Sequence, residues 1–599
     1  MTDVTATSDL TAQDVVWDLD PLLPQPGEAG VAALLDRADA IADELARARG
    51  RVAAFDADEL AAFMHRFAEL HDVVGRAGSY AGLFFSADTT DPARGALLQK
   101  VEERSTAITT KLLFFELEWA ALDDGRSEEL LADDRLAFAR HHLRSARRYR
   151  PHLLTEPEEV VLNEKSVTGR SAWQRLFEEQ VSTVTVTLDG HEVPLEAGLA
   201  RLHSPDREVR RDAADAVTTA LAPNLRTRAF ILNTLLADKA IDDRLRKYPS
   251  WIASRNLANE ASDESVQALV DAVQRRYSIP QRWYALKARL LGLDRLADYD
   301  RMASVAQSES EIGWNEATEI VLDAYASFSP ELADTARLFF DGWIDAPARP
   351  GKRPGAFCAY TVPSHHPYVL LNWTAQRRDV LTLAHELGHG LHAYLARHQG
   401  VFHQTTPLTL AETASVFGET VTFGRLLDVI DDPNERLALL AANLEDQIAT
   451  VFRQIAMNRF EHAIHTTRRE EGELSVDRFG ELWAQTQADM LGPAVEVTDG
   501  YRTWWSYIPH FVATPGYVYA YAYGQLLALS VYARYEAEGA GFVPRYLDLL
   551  RAGGSRPPEE LGRIVGVDLA DPEFWDRGLD IVERRLEATE QAAVAAGRL

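Results

Sequence analysis

The chain has 599 residues, 46% hydrophobic and 26% charged, a balance that suits a folded globular protein of at least two lobes or subdomains. Its net charge of −29, from 62 basic and 91 acidic residues, argues against a nucleic-acid partner, since phosphate binding needs a basic surface. Its one cysteine, Cys358, leaves no intrachain disulfide and no cysteine-based metal cage, so any metal site must be built from His, Asp and Glu.

The opening MTDVTATSDLTAQDVVWDLD carries acidic and hydroxyl side chains where a secretory signal has a basic start and an apolar core. No stretch approaches the roughly 18 uninterrupted apolar residues of a membrane span. A cytoplasmic protein with no membrane partner is expected. Apolar residues then recur at three- and four-residue spacing through 31–48, 57–74, 262–277, 429–449 and 476–490, the period of amphipathic helix. Another helix is expected to begin with Ser204 as its cap and Pro205 in its first turn, with Val209, Ala213, Val217 and Leu221 on one stripe. Ser182–Leu195 alternates β-branched and polar residues around Asp189-Gly190, a hairpin signal. Gly355–Trp373 is rich in aromatic and β-branched residues, and Pro363 and Pro367 divide it into short extended pieces. A largely helical protein with a small sheet near residue 360 follows.

Directly after that sheet comes His385-Glu386-Leu387-Gly388-His389, an H-E-x-x-H. It lies in 379–398, where Val380, Ala384, Leu387, Leu391 and Leu395 form a helical apolar stripe. Residues four apart sit one turn up on the same helix face, so both imidazoles can reach one metal ion. Glu386 lies about 100° round the helix, where a carboxylate can meet a metal-activated water instead of ligating. Zinc is the expected ion: it lowers the pKa of bound water and polarises a scissile carbonyl, while the carboxylate relays the proton. Cobalt or manganese is an alternative. Gly388 and Gly390 each cost roughly 1 kcal/mol inside a helix, which points to something packed closely against the motif. His392 shares the face, and its expected role is that of a packed histidine.

A catalytic zinc takes three protein ligands. The third is sought in 408–430, where Glu412 and Glu419, seven residues apart, are expected to project alike from one helix with small and apolar neighbours. Buried carboxylates need a partner or a metal, so one can ligate while the other orients a ligand histidine. Far downstream, 500–530 holds His510 and a run of tyrosines at 517, 519, 521 and 523. A phenol or imidazole N–H can stabilise the oxyanion of peptide hydrolysis, although an aromatic stripe serves the core more often.

H-E-L-G-H followed by Glu412 in E-T-A-S-x-x-x-E resembles the M3 metallopeptidases, and within them oligoendopeptidase F. The resemblance implies that His385, His389 and Glu412 hold one zinc ion, that Glu386 is the general base, and that Glu419 supports a ligand from behind. It matches His510 and Tyr517 to oxyanion-stabilising positions, and it makes Gly355, Ala356, Phe357, His366 and Tyr368 part of a substrate-binding edge strand, with Tyr521 as a further substrate-binding candidate. A peptide would add there by main-chain pairing. Cys358 in the same segment lacks the constellation of a nucleophile. The implied fold is mostly α: a two-lobed zincin-type helical body with a deep cleft and a small sheet at the site. A helical N-terminal region spans 1–200 and a catalytic region 201–599. The implied activity is zinc-dependent hydrolysis of internal bonds in short peptides, assisted by Glu386. The alternatives are a dipeptidyl carboxypeptidase, for which Arg353, Arg377 or Arg378 would bind the free carboxylate, and an inactive peptide-binding protein. Oligomeric state is not legible.

Overall fold

Three- and four-residue apolar spacing becomes helix along most of the chain: 71% of the described residues are helical, and the sheets are small. The computed structural model describes residues 9–166, 168–305 and 311–599; the first eight residues, on which part of the targeting expectation rests, lie outside the described residues. The elements used below are, in chain order, α1 (Glu28–Leu45), α2 (Ala57–Ala87), β1 (Thr185–Leu188), β2 (His191–Pro194), α3 (Arg207–Leu221), α4 (Trp314–Phe328), β3 (Ile344–Pro347), β4 (Phe357–Ala359), β5 (Tyr368–Trp373), α5 (Arg377–Ala396), α6 (Ser415–Val429) and α7 (Gln454–Glu471). The other expected helices run Asp263–Arg275, Pro433–Gln447 and Val476–Leu491. Among the described residues no helix is long and apolar enough to cross a membrane.

The β1–β2 hairpin forms with Leu188 opposite His191, and Asp189 (φ 52°) and Gly190 (φ 80°) make the left-handed two-residue turn that such a hairpin requires. The start of α3 differs. Asp206, not Ser204, is its cap, accepting from the Glu208 N–H at 2.9 Å. Ser204 closes the preceding 3-10 turn, and its hydroxyl oxygen accepts from the Asp206 N–H. A carboxylate at the helix start also meets the positive end of the helix dipole.

The chain divides into two units, Met1–Arg150 with Glu309–Val429 and Val531–Asp568, and Pro151–Ser308 with Ile430–Ser530 and Leu569–Leu599. The regions 1–200 and 201–599 thus each contribute to both. In the first unit α1 and α2 enclose an apolar core that also receives Tyr368 from β5. Its sheet has the order β3-β5-β4, with β5 parallel to β3 and antiparallel to β4. Cys358 stands opposite Val369, and Ala359 opposite Tyr368. β4 is therefore an edge strand. β3 was not legible in the sequence, because an aspartate and a proline among four residues read as loop. Its Asp345 is buried, and the Lys352 ammonium donates to it at 2.6 Å while Arg349 forks onto both carboxylate oxygens. Buried charge persists only when paired in this way.

In α5, Asp379 accepts from the backbone N–H groups of Thr374 and Gln376 and so fixes the first turn. Val380, Ala384, Leu387, Leu391 and Leu395 are all buried, as the stripe predicts. Each large side chain among them contributes about 1.5–3 kcal/mol of apolar burial. The second unit packs α3 and the hairpin around its own core, with Phe460 of α7, Trp483 and Trp505 buried.

Candidate metal centre and active site

Neither glycine of the motif is idle. A Cβ on Gly388 would lie 2.5 Å from the Ala414 carbonyl oxygen and 2.6 Å from Ser415 Cα, so the start of α6 lies directly on α5. A Cβ on Gly390 would lie 2.4 Å from the Phe339 ring on another side of the helix. Tyr325 of α4 adds a clamp, its buried hydroxyl donating to the Ala384 carbonyl at 2.8 Å, one residue before His385. The same hydroxyl would lie 2.1 Å from a Cβ on Gly418 of α6. The two helices are thus held at backbone distance where the histidines stand.

Glu412 and Glu419 do not share one helix. The one-turn helix Leu408–Ala411 ends at Glu412, and α6 begins only at Ser415. The two carboxylates reach His385 from different elements and on different ring nitrogens. Glu412 Oε2 is 3.4 Å from His385 Nε2 and 3.5 Å from His389 Nε2. Glu419 Oε2 is 3.3 Å from His385 Nδ1. The donors of His385, His389 and Glu412 all lie within 4.8 Å of one another. At usual zinc–ligand lengths, two ligands of a tetrahedral zinc are separated by about 3.3 Å. The spacing and the N,N,O chemistry therefore suit such an ion, and the carboxylate behind His385 is the arrangement that fixes a ligand imidazole. Ser415, whose hydroxyl donates to Glu412 Oε2 at 2.7 Å, holds the third donor. Sequence reading left it without a role, although it is the serine of E-T-A-S.

The electrostatics agree. Burial lowers the His385 pKa, but hydrogen bonds and charge from Glu412 and Glu419 outweigh it and lift the group to about 10, so the pair of carboxylates attracts positive charge there. Glu412 is pulled down to about 2: burial acts against this, and His385, His389 and Ser415 overcome it. Burial keeps His389 neutral, at about 4. Burial lifts Glu386 to about 7 against the pull of His385 and the Cys358 N–H, with Glu412 adding to the rise. A carboxylate in that range can both accept and return a proton near neutral pH. His392 is buried with neither ring nitrogen hydrogen-bonded, and burial lowers it to about 3, which matches a packed neutral histidine.

Beside these groups lies a cavity of about 400 Å3 whose wall includes Ala356, Phe357, Cys358, Tyr360, Glu386 and His389. Gly355, at φ +82°, precedes it, and its carbonyl accepts from Asn372 at 2.7 Å. His366 stacks on Trp343 at 3.8 Å between ring centres, and Tyr368 is buried with its hydroxyl donating to the Asp18 carbonyl. These two side chains stand in the packing around the sheet, not on the cavity wall. Tyr360 is a wall residue that sequence reading passed over; two residues from Cys358 along an edge strand, it carried the signal of a shared face.

In the second unit His510, Tyr517 and Tyr521 come together. His510 Nε2 is 3.2 Å from the Tyr521 hydroxyl, and the Tyr517 ring centre is 6.1 Å from that of His510 and 5.2 Å from that of Tyr521. The Pro-Gly turn between them is anchored on both sides. Glu461 of α7 accepts from the Gly516 N–H at 2.8 Å, and Arg255 donates to the Pro515 carbonyl at 3.3 Å.

Residues 200–581 match the model of peptidase family M3, and residues 118–185 match that of oligopeptidase F. The chain is 28% identical over 528 residues to the oligopeptidase PepF of Bacillus subtilis strain 168, covering 86% of this chain and 78% of that one. It is also 28% identical over 525 residues to the group B oligopeptidase PepB of Streptococcus agalactiae, covering 85% and 86% respectively. Its fold resembles that of the oligoendopeptidase-F of Enterococcus faecium, with a TM-score of 0.71 at 22% identity over 94% of this chain and 100% of that one. A Chlamydophila abortus protein provisionally described as a peptidase gives a TM-score of 0.85 at 23% identity over 96% and 98%.

Proposed function

We propose that this chain, which belongs to peptidase family M3 and is a metallopeptidase, is a zinc-dependent endopeptidase that cuts internal bonds of short oligopeptides. The observation that carries the proposal is the triangle of His385, His389 and Glu412 donors beside a buried Glu386 on one clamped helix pair. The relatives named as oligopeptidases support short peptides as substrates. A cytoplasmic setting belongs to the same proposal.

His385, His389 and Glu412 would hold the ion, with Glu419 fixing the His385 ring and Ser415 the Glu412 carboxylate. When bound, zinc supplies a Lewis acid that polarises the scissile carbonyl and acidifies water. Glu386 takes the proton of the attacking water and returns it to the leaving amine, for which an affinity poised near neutrality is suited. The main chain of β4 binds the peptide in extended form, with Gly355, Ala356 and Phe357 beside the reacting bond. The family resemblance is what assigns Tyr517 and His510 as donors to the developing oxyanion; within the second unit His510 is hydrogen-bonded to Tyr521.

The test is cleavage of an internally quenched, doubly end-blocked decapeptide by wild type, Glu386→Gln and chelator-treated protein. Activity confined to wild type, and restored to the chelated sample by zinc, is the expected result. Cleavage only of peptides with a free carboxyl terminus would replace the endopeptidase by an exopeptidase. Undiminished activity of Glu386→Gln would remove the assigned base.

A further inference from the structure

The cavity beside the metal donors has a chemistry of its own. Phe357 and Ala359 of β4 pack against the core of the first unit. Strand alternation therefore turns Cys358 and the next-but-one residue, Tyr360, to the opposite face. There the Tyr360 ring centre lies 6.4 Å from that of His389, with the planes inclined by 52°. Its hydroxyl has no protein hydrogen-bond partner among the described residues, whereas the buried hydroxyls of Tyr325, Tyr368 and Tyr546 all donate to backbone carbonyls.

The backbone spends strain to hold this side chain in place. Thr361 sits at φ +58°, a left-handed conformation that a β-branched residue adopts only under strain. Two contacts keep it there. The Thr361 hydroxyl donates to the His366 carbonyl at 2.8 Å, and Val362 is buried so closely against α2 that a Cβ on Gly75 would lie 2.5 Å from it. The chain leaving β4 is pinned on both sides of the phenol's neighbour. Strain held by surrounding packing is a mark of functional positions.

Apart from Glu386 and His389, the wall is uncharged, and Thr405, Thr406 and Ala411 also belong to it. About 400 Å3 is at the small end of ligand pockets, which span about 300–1,000 Å3, and suits one large side chain better than a longer segment. A carboxylate entering it would meet the Glu386 carboxylate. We propose that this cavity receives a large uncharged side chain from the peptide residue next to the scissile bond, and that Tyr360 bounds its depth and so sets the preference. The inference rests on the endopeptidase reading above and adds the substrate class.

Two series of quenched, end-blocked peptides test it, one varying the residue before the scissile bond and one the residue after it through Ala, Leu, Phe, Trp and Asp. Wild type is expected to favour Leu or Phe over Asp by roughly ten-fold or more in kcat/KM in one series. Tyr360→Ala is expected to raise the Trp-to-Leu ratio about ten-fold in that same series, and Tyr360→Trp to shift preference towards Ala. Tyr360→Phe keeps the size ranking. Because Ala and Trp move the preference in opposite directions, either variant decides if the other fails to fold; bound metal and Tm report folding. Equal scaling of all peptides in both series, or Asp accepted as well as Leu, overturns this inference alone. No cleavage of any peptide by zinc-loaded wild type overturns the endopeptidase reading and this inference with it.

Discussion

Gly388→Ala tests whether the approach of two helices is what shapes the metal centre. The added Cβ would stand 2.5 Å from the Ala414 oxygen and 2.6 Å from Ser415 Cα, both backbone atoms that no rotamer can move. Ordinary contact begins about 1 Å further out, so the start of α6 must retreat by close to that amount. The stability cost is modest: overpacking costs about 1–3 kcal/mol, and replacing a helical glycine by alanine returns about 1. The effect on the site is larger. Glu412 and Ser415 lie at the displaced end, and separations of 3.4 and 3.5 Å that now suit a tetrahedral ion would widen. Loss of about 10–100-fold in zinc affinity is expected by analogy with disturbed ligand supports, and about 100-fold in activity from misplacement by 1 Å. Competition with a chromogenic chelator measures the first, and peptide hydrolysis at saturating zinc the second. Gly390→Ala is the control: its Cβ meets the Phe339 ring away from the donors, so it lowers Tm and leaves zinc affinity intact. Equal, wild-type zinc affinity in both variants would refute the reasoning, since the site would then not depend on the helix approach.

Glu419→Gln is expected to weaken zinc binding by about 10–100-fold with little change in Tm, measured by the same competition, because it removes the carboxylate behind His385. Tyr517→Phe is expected to lower kcat about 100- to 1,000-fold with KM little changed; a fall confined to KM would assign the phenol to ground-state binding instead. Glu461 makes stability depend on pH in a stated direction. Burial lifts its pKa from the ordinary 4.5 to about 8, against the Gly516 N–H and Arg255. A carboxyl whose folded pKa is raised stabilises fully below its unfolded pKa, and that contribution is lost as pH rises towards the folded value. Between pH 5 and 7.5 the second unit is expected to lose about 3 kcal/mol from this group, at 1.36 kcal/mol per pH unit. Glu461→Gln should flatten that fall in a Tm series, and parallel profiles for the two proteins would count against it.

How much could be read beforehand follows from the range of the interactions. The helix of His385 and His389 was legible because its period and its ligand spacing are both local. The break between Leu408–Ala411 and α6 was not, since Glu412-Thr413-Ala414 has no helix-breaking residue; Ala414, at the end of that turn, lies against Gly388, a contact remote in sequence. The glycines announced a close approach without naming what approached. β3 escaped notice because its charged residue is neutralised by Lys352, seven positions on, and its pairing partner β5 lies beyond that. Tyr360 stood among aromatic neighbours: its alternation with Cys358 gave a shared face, but the cavity it lines and the left-handed backbone at Thr361 are tertiary features.

The edge strand β4 has three residues, Phe357–Ala359. An edge that short can offer a bound peptide only a few outward main-chain groups, worth about 0.5–1.5 kcal/mol each. Such pairing changes a residence time by one or two powers of ten, since 1.4 kcal/mol corresponds to a factor of ten. A peptide held so lightly must be retained by what lies either side of the strand, and its fragments depart quickly once the chain is cut. The same brevity guards the protein itself. Three residues of open edge are too few to seed the addition of strands from neighbouring molecules, so the groove can stay available to passing peptides without becoming a point of self-assembly.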